Sequence, residues 1–232
     1  VLAQSDNDLL RALPTEVGAA VLDAVQRVSL PARTIIYEPG SAVREIYLPI
    51  DCVISVVKVM QDGTQIEVLT VGREGLTGAQ ALLDGSSAGC LTSVQIAGDA
   101  YYIPFADFEC LFSRYPELAA VVERYLSAQL DVLAQSIACN RLHYVSERCA
   151  RWLLMTHDRI GRDEFLLTHE VLATMLGVRR AGVSIAAASL QQAGCITYSR
   201  GRFTVTDRDG LVQAACECYG AINDAFSRLR LA

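Results

Sequence analysis

Between positions 179 and 206 the sequence holds four arginines, Arg179, Arg180, Arg200 and Arg202, and no Asp or Glu. A guanidinium is a planar fork of N–H donors that matches phosphate oxygens and the O6/N7 edge of guanine. Ser184 and Ser189 add short hydroxyls to the same stretch. This set suits nucleic acid rather than catalysis. The three histidines, His143, His157 and His169, are scattered. No acid, base and nucleophile stand together, so no catalytic residue is read and the chain is not expected to be an enzyme. The eight cysteines (52, 90, 110, 139, 149, 195, 216 and 218) mostly fall inside apolar patterns, where Cys behaves as a small buried hydrophobe. Cys216-Glu217-Cys218 is a CxC, but no second pair stands at metal-ligand spacing. No metal site and no cofactor are therefore expected. The cysteines read as free thiols in a reducing cytoplasm, with redox sensing as the alternative use.

The arginines need elements to present them. Thr168 can cap a helix, its hydroxyl accepting an otherwise unpaired N–H. Leu172, Met175 and Leu176 follow at helical spacing, and Gly177 can hold the left-handed conformation that ends a helix. The pattern predicts a second helix from Arg179 to Ala193, with Val183, Ala186, Ala187 and Leu190 inward and Gly194 at its end. Two helices around so short a turn are a helix-turn-helix, whose second helix can offer its first turn to the major groove. Cys195–Ser199 and Arg202–Thr206, joined at Arg200-Gly201, read as a two-stranded wing.

Charge is distributed to match. The net charge of the 232 residues is −6, but residues 1–139 carry 8 Lys+Arg against 17 Asp+Glu and residues 140–232 carry 12 against 9. An acidic first part repels DNA, so the basic C-terminal part must make any contact. Hydrophobic residues make up 52%, enough for a packed core. No apolar run approaches the roughly 18 residues of a membrane span, and VLAQSDNDLL lacks the basic start and apolar core of a signal peptide. A cytoplasmic protein without membrane contact is expected.

Along the chain, Ser5 to Val28 reads as a polar start and a helix capped at Asn7-Asp8 and interrupted at Pro14. From Ser29 to Ile103 the period becomes that of strands: Arg33–Tyr37, Glu45–Pro49, Cys52–Met60, Gln65–Val71, Thr92–Ile96 and Ala100–Pro104. Asp62-Gly63 is the strongest hairpin signal. Short strands at this spacing make a β-sandwich or barrel, with one short helix expected in Leu76–Leu83. Asp107–Arg114 reads as a helix. Pro116 opens a long one to about Asn140, apolar on more than one side, as a helix that crosses a core or pairs with its own copy is. Ser146–His157 and Leu211–Leu229 complete the helices.

A β-barrel, a long apolar helix and a winged helix-turn-helix follow in that order. With EPG at 38–40, DG at 62–63, REGxxG from Arg73 to Gly78 and LxxxLGVRRxxV from Leu172 to Val183, the chain resembles the Crp/Fnr family of bacterial transcription regulators over nearly its whole length. The resemblance implies an α+β fold: an N-terminal double-stranded β-helix of the jelly-roll, cyclic-nucleotide-binding-like type (1–115), a dimerisation helix (116–140) and a winged helix-turn-helix DNA-binding domain (141–232). It implies a homodimer on double-stranded DNA, with RNA polymerase as a further partner, and an effector pocket around Val71, Gly78, Ala79, Gln80, Leu82, Leu83, Cys90 and Tyr125. The residues expected on DNA are Thr168, Arg179, Arg180, Ala181, Ser184, Ile185, Ser189, Arg200 and Arg202.

Departures from the family pattern carry as much. Cyclic-AMP-binding members have a Glu after the Gly of this segment and later an Arg-Ser pair. Here Gly78 is followed by Ala79 and Gln80, and the stretch from Gly85 to Cys90 has no arginine. A buried phosphate without a cation is costly, so cyclic-nucleotide binding is not expected. The iron–sulfur cluster of the oxygen sensors needs N-terminal cysteines, and none precedes Cys52. His143 reads as a structural or surface histidine rather than a haem ligand. Ala181 and Ile185 stand where members reading the common half-sites carry Glu and Arg, so a different operator is expected. It would be read through the first helical turn, apolar contacts and DNA shape. The alternative reading is an effector-binding or redox-sensing module with DNA binding secondary.

Overall fold

Asn7 caps the first helix. In the computed structural model, which describes residues 6–85 and 87–230, its Oδ1 accepts from the amides of Leu9 and Leu10 (3.1 and 3.3 Å), and its Nδ2 donates to the carbonyls of Pro49 and Gly75 (2.8 and 3.0 Å). The start read at Ser5 and the Ser86 of the 85–90 loop lie outside the described residues. Two helices follow, α1 (Asp8–Arg11) and α2 (Thr15–Ala24), separated around Pro14. Helix does not reach Val28 as expected. Val25 is already extended (ψ 155°), and β1 (Gln26–Leu30) pairs antiparallel with β7 (Gly98–Pro104).

Two antiparallel sheets form the N-terminal domain. One has the order β1-β7-β3, with β3 at Glu45–Pro49. The other has the order β2-β6-β4-β5, with β2 at Ile35–Tyr37, β4 at Val53–Val59, β5 at Gln65–Val71 and β6 at Leu91–Ile96. Side chains from both sheets, Leu30, Ile54, Val71, Val94 and Ala100, share one buried cluster with Cys52. Asp62-Gly63 turns β4 into β5, with Gly63 at φ 82° and Asp62 accepting from the Thr64 amide at 2.9 Å. The helix expected over Leu76–Leu83 is only α3 (Ala81–Asp84). Gly78 before it sits at φ 70°, where a Cβ would lie 2.8 Å from Val43 Cγ1, so the chain there is a tight turn only glycine fills.

α4 (Phe105–Arg114) leads to α5 (Pro116–Leu142), 27 residues with Pro116 at its start. One side of α5 buries Leu118, Val122, Tyr125, Gln129 and Val132 against the barrel domain and its helices. Along the other side Glu123, Ser127, Leu130, Ala134, Ile137 and Arg141 are exposed, spaced alternately by four and three residues. Leu130 and Ile137 are 68% and 72% exposed.

The C-terminal domain is α6 (Val145–Ile160), β8 (Glu164–Leu166), α7 (His169–Leu176), α8 (Arg180–Gln192), β9 (Ile196–Ser199), β10 (Arg202–Val205), α9 (Arg208–Ala214) and α10 (Cys218–Ser227). Its sheet has the order β8-β10-β9, so the wing has a third strand that the alternation of the sequence did not reveal. The single helix expected over Leu211–Leu229 is broken: Ala215 is extended and Cys216 lies in the break. The domain packs on the barrel. Val53, Leu69 and Ile96 share a core with Trp152 and Leu172, and Trp152 Nε1 donates to Glu67 Oε1 at 2.9 Å. Arg159 and Glu74 form a buried pair at 2.8 Å across the same boundary.

Candidate nucleic-acid interface

α7 forms because Thr168 Oγ1 accepts from the Val171 amide (3.2 Å) and Gly177, at φ 63°, ends it. Arg148 of α6 donates a buried guanidinium N–H to the Leu176 carbonyl, one of the last acceptors of α7. α8 starts after an extended Arg179 and runs to Gln192, within one residue at each end of the expected span. The two helices cross at 108°, inside the range of a helix-turn-helix. Val183, Ala186, Ala187 and Leu190 are buried, as their spacing requires. The opposite face is open to solvent: Arg179, Arg180, Ala181, Ile185, Ala188 and Ser189 are exposed, Ile185 to 73%. Ser184 is different. It is half-buried and its Oγ lies 3.0 Å from His169 Nδ1, so it ties α8 to α7 instead of standing free for DNA.

The wing follows from Arg200-Gly201, with φ 50° and 79°, which turns β9 into β10. His169 joins the wing to the helices. Its ring stacks on Tyr198 with centroids 4.0 Å apart, and Tyr198 lies 4.5 Å from Phe203. Burial, then the charge of Arg180, holds the His169 imidazole below its ordinary pKa, so it packs as a neutral ring. Thr168 sits beside the wing turn, with Leu167 donating to the Gly201 carbonyl at 2.8 Å. The run of arginines is free of acids only along the chain. Arg202 pairs with Glu164 of β8, and Arg180 Nε lies 3.9 Å from Glu170 of α7, both pairs being exposed. Arg200 is exposed at the wing tip.

Residues 147–214 match the Crp-like helix-turn-helix domain family. The match spans the helix-turn-helix and the β9–β10 wing of the C-terminal domain. Over most of its length the chain also has the fold of solved Crp/Fnr regulators. FixK2 from Bradyrhizobium japonicum superposes with a TM-score of 0.69 at 16% identity, covering 83% of this chain and 98% of that one. A CRP-family transcriptional regulator from Thermus thermophilus gives 0.65 at 24% identity over 82% and 96%. The c-di-GMP-responsive global regulator CLP of Xanthomonas campestris gives 0.65 at 16% over 83% and 99%. No curated protein matches the sequence. Among the described residues no single helix is long and apolar enough to cross a membrane.

The Crp-like domain is joined to a barrel with a cavity of about 220 Å³. Of the residues expected around an effector pocket, Val71, Gly78, Ala79, Gln80 and Cys90 line it. Leu82, Leu83 and Tyr125 do not. With helix confined to 81–84, Leu83 turns outward (61% exposed) and Leu82 packs on the helical core. Tyr125 is buried beneath Gly75, its hydroxyl accepting from Gln129 Nε2 at 2.7 Å. Tyr37, Thr77 and Thr92 also line it, together with Gln129 and Leu133 from the apolar stripe of α5. No Lys or Arg stands among the described residues lining it.

Two sets among the buried cysteines differ in their surroundings. Burial pushes the thiols of Cys52 and Cys149 up to about 12, so both are inert packing groups. Cys139, Cys216 and Cys218 form their own buried cluster, and His143 joins them. The reading of no metal pattern rested on spacing along the chain. Folding instead brings Cys139-x₃-His143, from the end of α5, against Cys216-x-Cys218 at the α9–α10 break. The four-residue step from Cys139 to His143, one helical turn, was the signal in the sequence, and it needed the broken last helix to acquire a partner.

Proposed function

We propose that the chain is a homodimeric, sequence-specific DNA-binding transcription regulator of the Crp/Fnr type, acting in the cytoplasm on a roughly two-fold symmetric operator. The observation that carries this reading is the open face of α8, with Arg179 at its N-cap and Arg180 in its first turn, in a domain of the Crp-like helix-turn-helix family that also exposes Arg200 at the wing tip. Just past Arg180 that face is small or apolar, with Ala181, Ile185 and Ala188. Ala181 and Ile185 can meet thymine methyls, while the arginines reach guanine edges or phosphates.

The dimer reading is supported by the exposed seam of α5. Residues alternating by four and three, with Leu130, Ala134 and Ile137 at its centre, are the pattern of two helices packed side by side. The signal reading is supported by the barrel cavity. Its apolar wall without a cation suits a small uncharged ligand better than a cyclic nucleotide, and Gln129 and Leu133 place its floor on the helix that carries the seam.

Selection of bound duplexes from a random pool by the full chain tests the reading. The expected product is a pseudo-palindrome with half-sites about one helical turn apart, ~34–36 Å. Failure to enrich any sequence contradicts it.

A further inference from the structure

Four donor atoms converge where α5 meets the C-terminal helices. The Sγ atoms of Cys139, Cys216 and Cys218 and a ring nitrogen of His143 all lie within 4.8 Å of one another. Cys139 Sγ is 3.5 Å from Cys216 Sγ, and Cys218 Sγ is 3.4 Å from His143 Nδ1. Bonds of ~2.3 Å to sulfur and ~2.0–2.1 Å to nitrogen around a tetrahedral ion give S···S edges of ~3.8 Å and S···N edges of ~3.5 Å. The spacing is therefore that of a mononuclear tetrahedral site. The donors are too close together to enclose a polynuclear iron–sulfur core.

We propose that Cys139, His143, Cys216 and Cys218 bind one Zn²⁺ as a structural Cys₃His site. Three features beyond the donor set point the same way. His143 Nε2 lies 3.1 Å from Glu217 Oε2, which leaves Nδ1 to face the thiols and is the carboxylate–histidine arrangement that fixes a metal-bound imidazole. Gln135 Nε2 reaches Cys218 Sγ at 3.0 Å, an N–H donor to a future thiolate. Arg148 and Arg151 are buried within electrostatic reach of Cys139, and each keeps a buried Nε without a hydrogen-bond partner. Binding replaces three S–H protons with one Zn²⁺, so three protons leave and the site carries one net negative charge. The two guanidinium groups offset that charge.

The place of the site gives its role. Cys139 stands one turn before the end of α5, and His143 is the C-cap residue of that helix, just before the Tyr144 that caps α6. Cys216 and Cys218 lead into α10. The ion would pin the last helix of the Crp-like domain to the end of the long helix, at the junction between them. This inference does not depend on DNA binding, and neither does its test.

The full chain, reduced and without a histidine tag, is analysed for metal by mass spectrometry and then exchanged with Co²⁺. Close to one zinc per chain is expected. Cobalt should give the near-ultraviolet thiolate charge-transfer band and the intense visible bands of a tetrahedral S₃N site. Glu217→Gln, a surface change, should weaken zinc about 10–100-fold in competition with a chelator. Cys216→Ser should lose the ion, while Cys110→Ser, at an exposed cysteine outside the cluster, should keep it. Should Cys216→Ser fail to fold, the cobalt spectrum of the unaltered chain and the Glu217→Gln competition still decide. Trace zinc with no cobalt thiolate band, an iron–sulfur chromophore, or a Cys139–Cys216 disulfide in metal-free protein would each overturn the proposal.

Discussion

Arg180 carries most of the base reading open to the first half of α8, because Ala181, Ile185, Ala188 and Ser189, which follow it on the exposed face, have no long polar side chain. Its nearest acid, Glu170, is 3.9 Å away with both groups largely exposed. Such a pair is worth at most about 1 kcal/mol, less than a bidentate contact to guanine, so the arginine can leave it for DNA. Arg180→Ala should weaken binding to the selected operator by about 1–3 kcal/mol in an anisotropy titration, with nonspecific affinity much less affected. Unchanged operator affinity would remove Arg180 from that role. Exposure of Arg179, Arg180, Ala181 and Ile185 was legible in the sequence, since the 3.6-residue period that buries Val183 and Leu190 also sets the open side. The pairing of Arg202 with Glu164, and the engagement of Ser184 by His169, were not. Both partners come from elements that only tertiary packing brings near.

At the scale of elements, α5 and the boundary between barrel and Crp-like domain make separate predictions. Ile137→Asp places two charges in the proposed seam, and an unpaired buried charge costs about 3–5 kcal/mol. Sedimentation velocity should then show monomer where the unaltered chain is dimeric. An unchanged dimer would place the interface elsewhere. At the domain boundary, burial pushes the Glu67 carboxyl up to about 7, against the stabilising contacts of Ser55, Trp152, Arg159 and Arg151. A folded pKa above the unfolded value means that the folded state holds the proton more tightly. The stability gained is full below the ordinary Glu range near 4.5 and is lost as pH rises through about 7. Glu67→Gln, which still accepts from Trp152, should flatten a pH dependence on the order of 1–3 kcal/mol between pH 5 and 8 in thermal unfolding. A slope equal to that of the unaltered chain would refute it. Most element types could be read because the periods are strong. The exceptions, β1, β8 and the break at Ala215, are short segments in which sheet pairing or side-chain packing overrides local pattern.

Across the whole molecule, the acidic barrel and the basic C-terminal region divide the work. The barrel is rich in acids and holds a cavity, and the long helix touches that cavity on one side and exposes Leu130 and Ile137 on the other. Order of domains and fold class were legible from the change of period at Ser29, Pro116 and Thr168. The cavity wall was only half legible, because Gln129 and Leu133 reach it from a helix some forty residues along the chain. The proposed function requires that the basic face read DNA as a dimer. It is tested most directly by titrating the full chain with its selected operator and with a scrambled duplex over a series of salt concentrations. The operator should bind about 10³-fold or more tighter than the scrambled duplex, with log affinity falling linearly and steeply against log salt. Equal affinity for the two duplexes, or an affinity indifferent to salt, would contradict it.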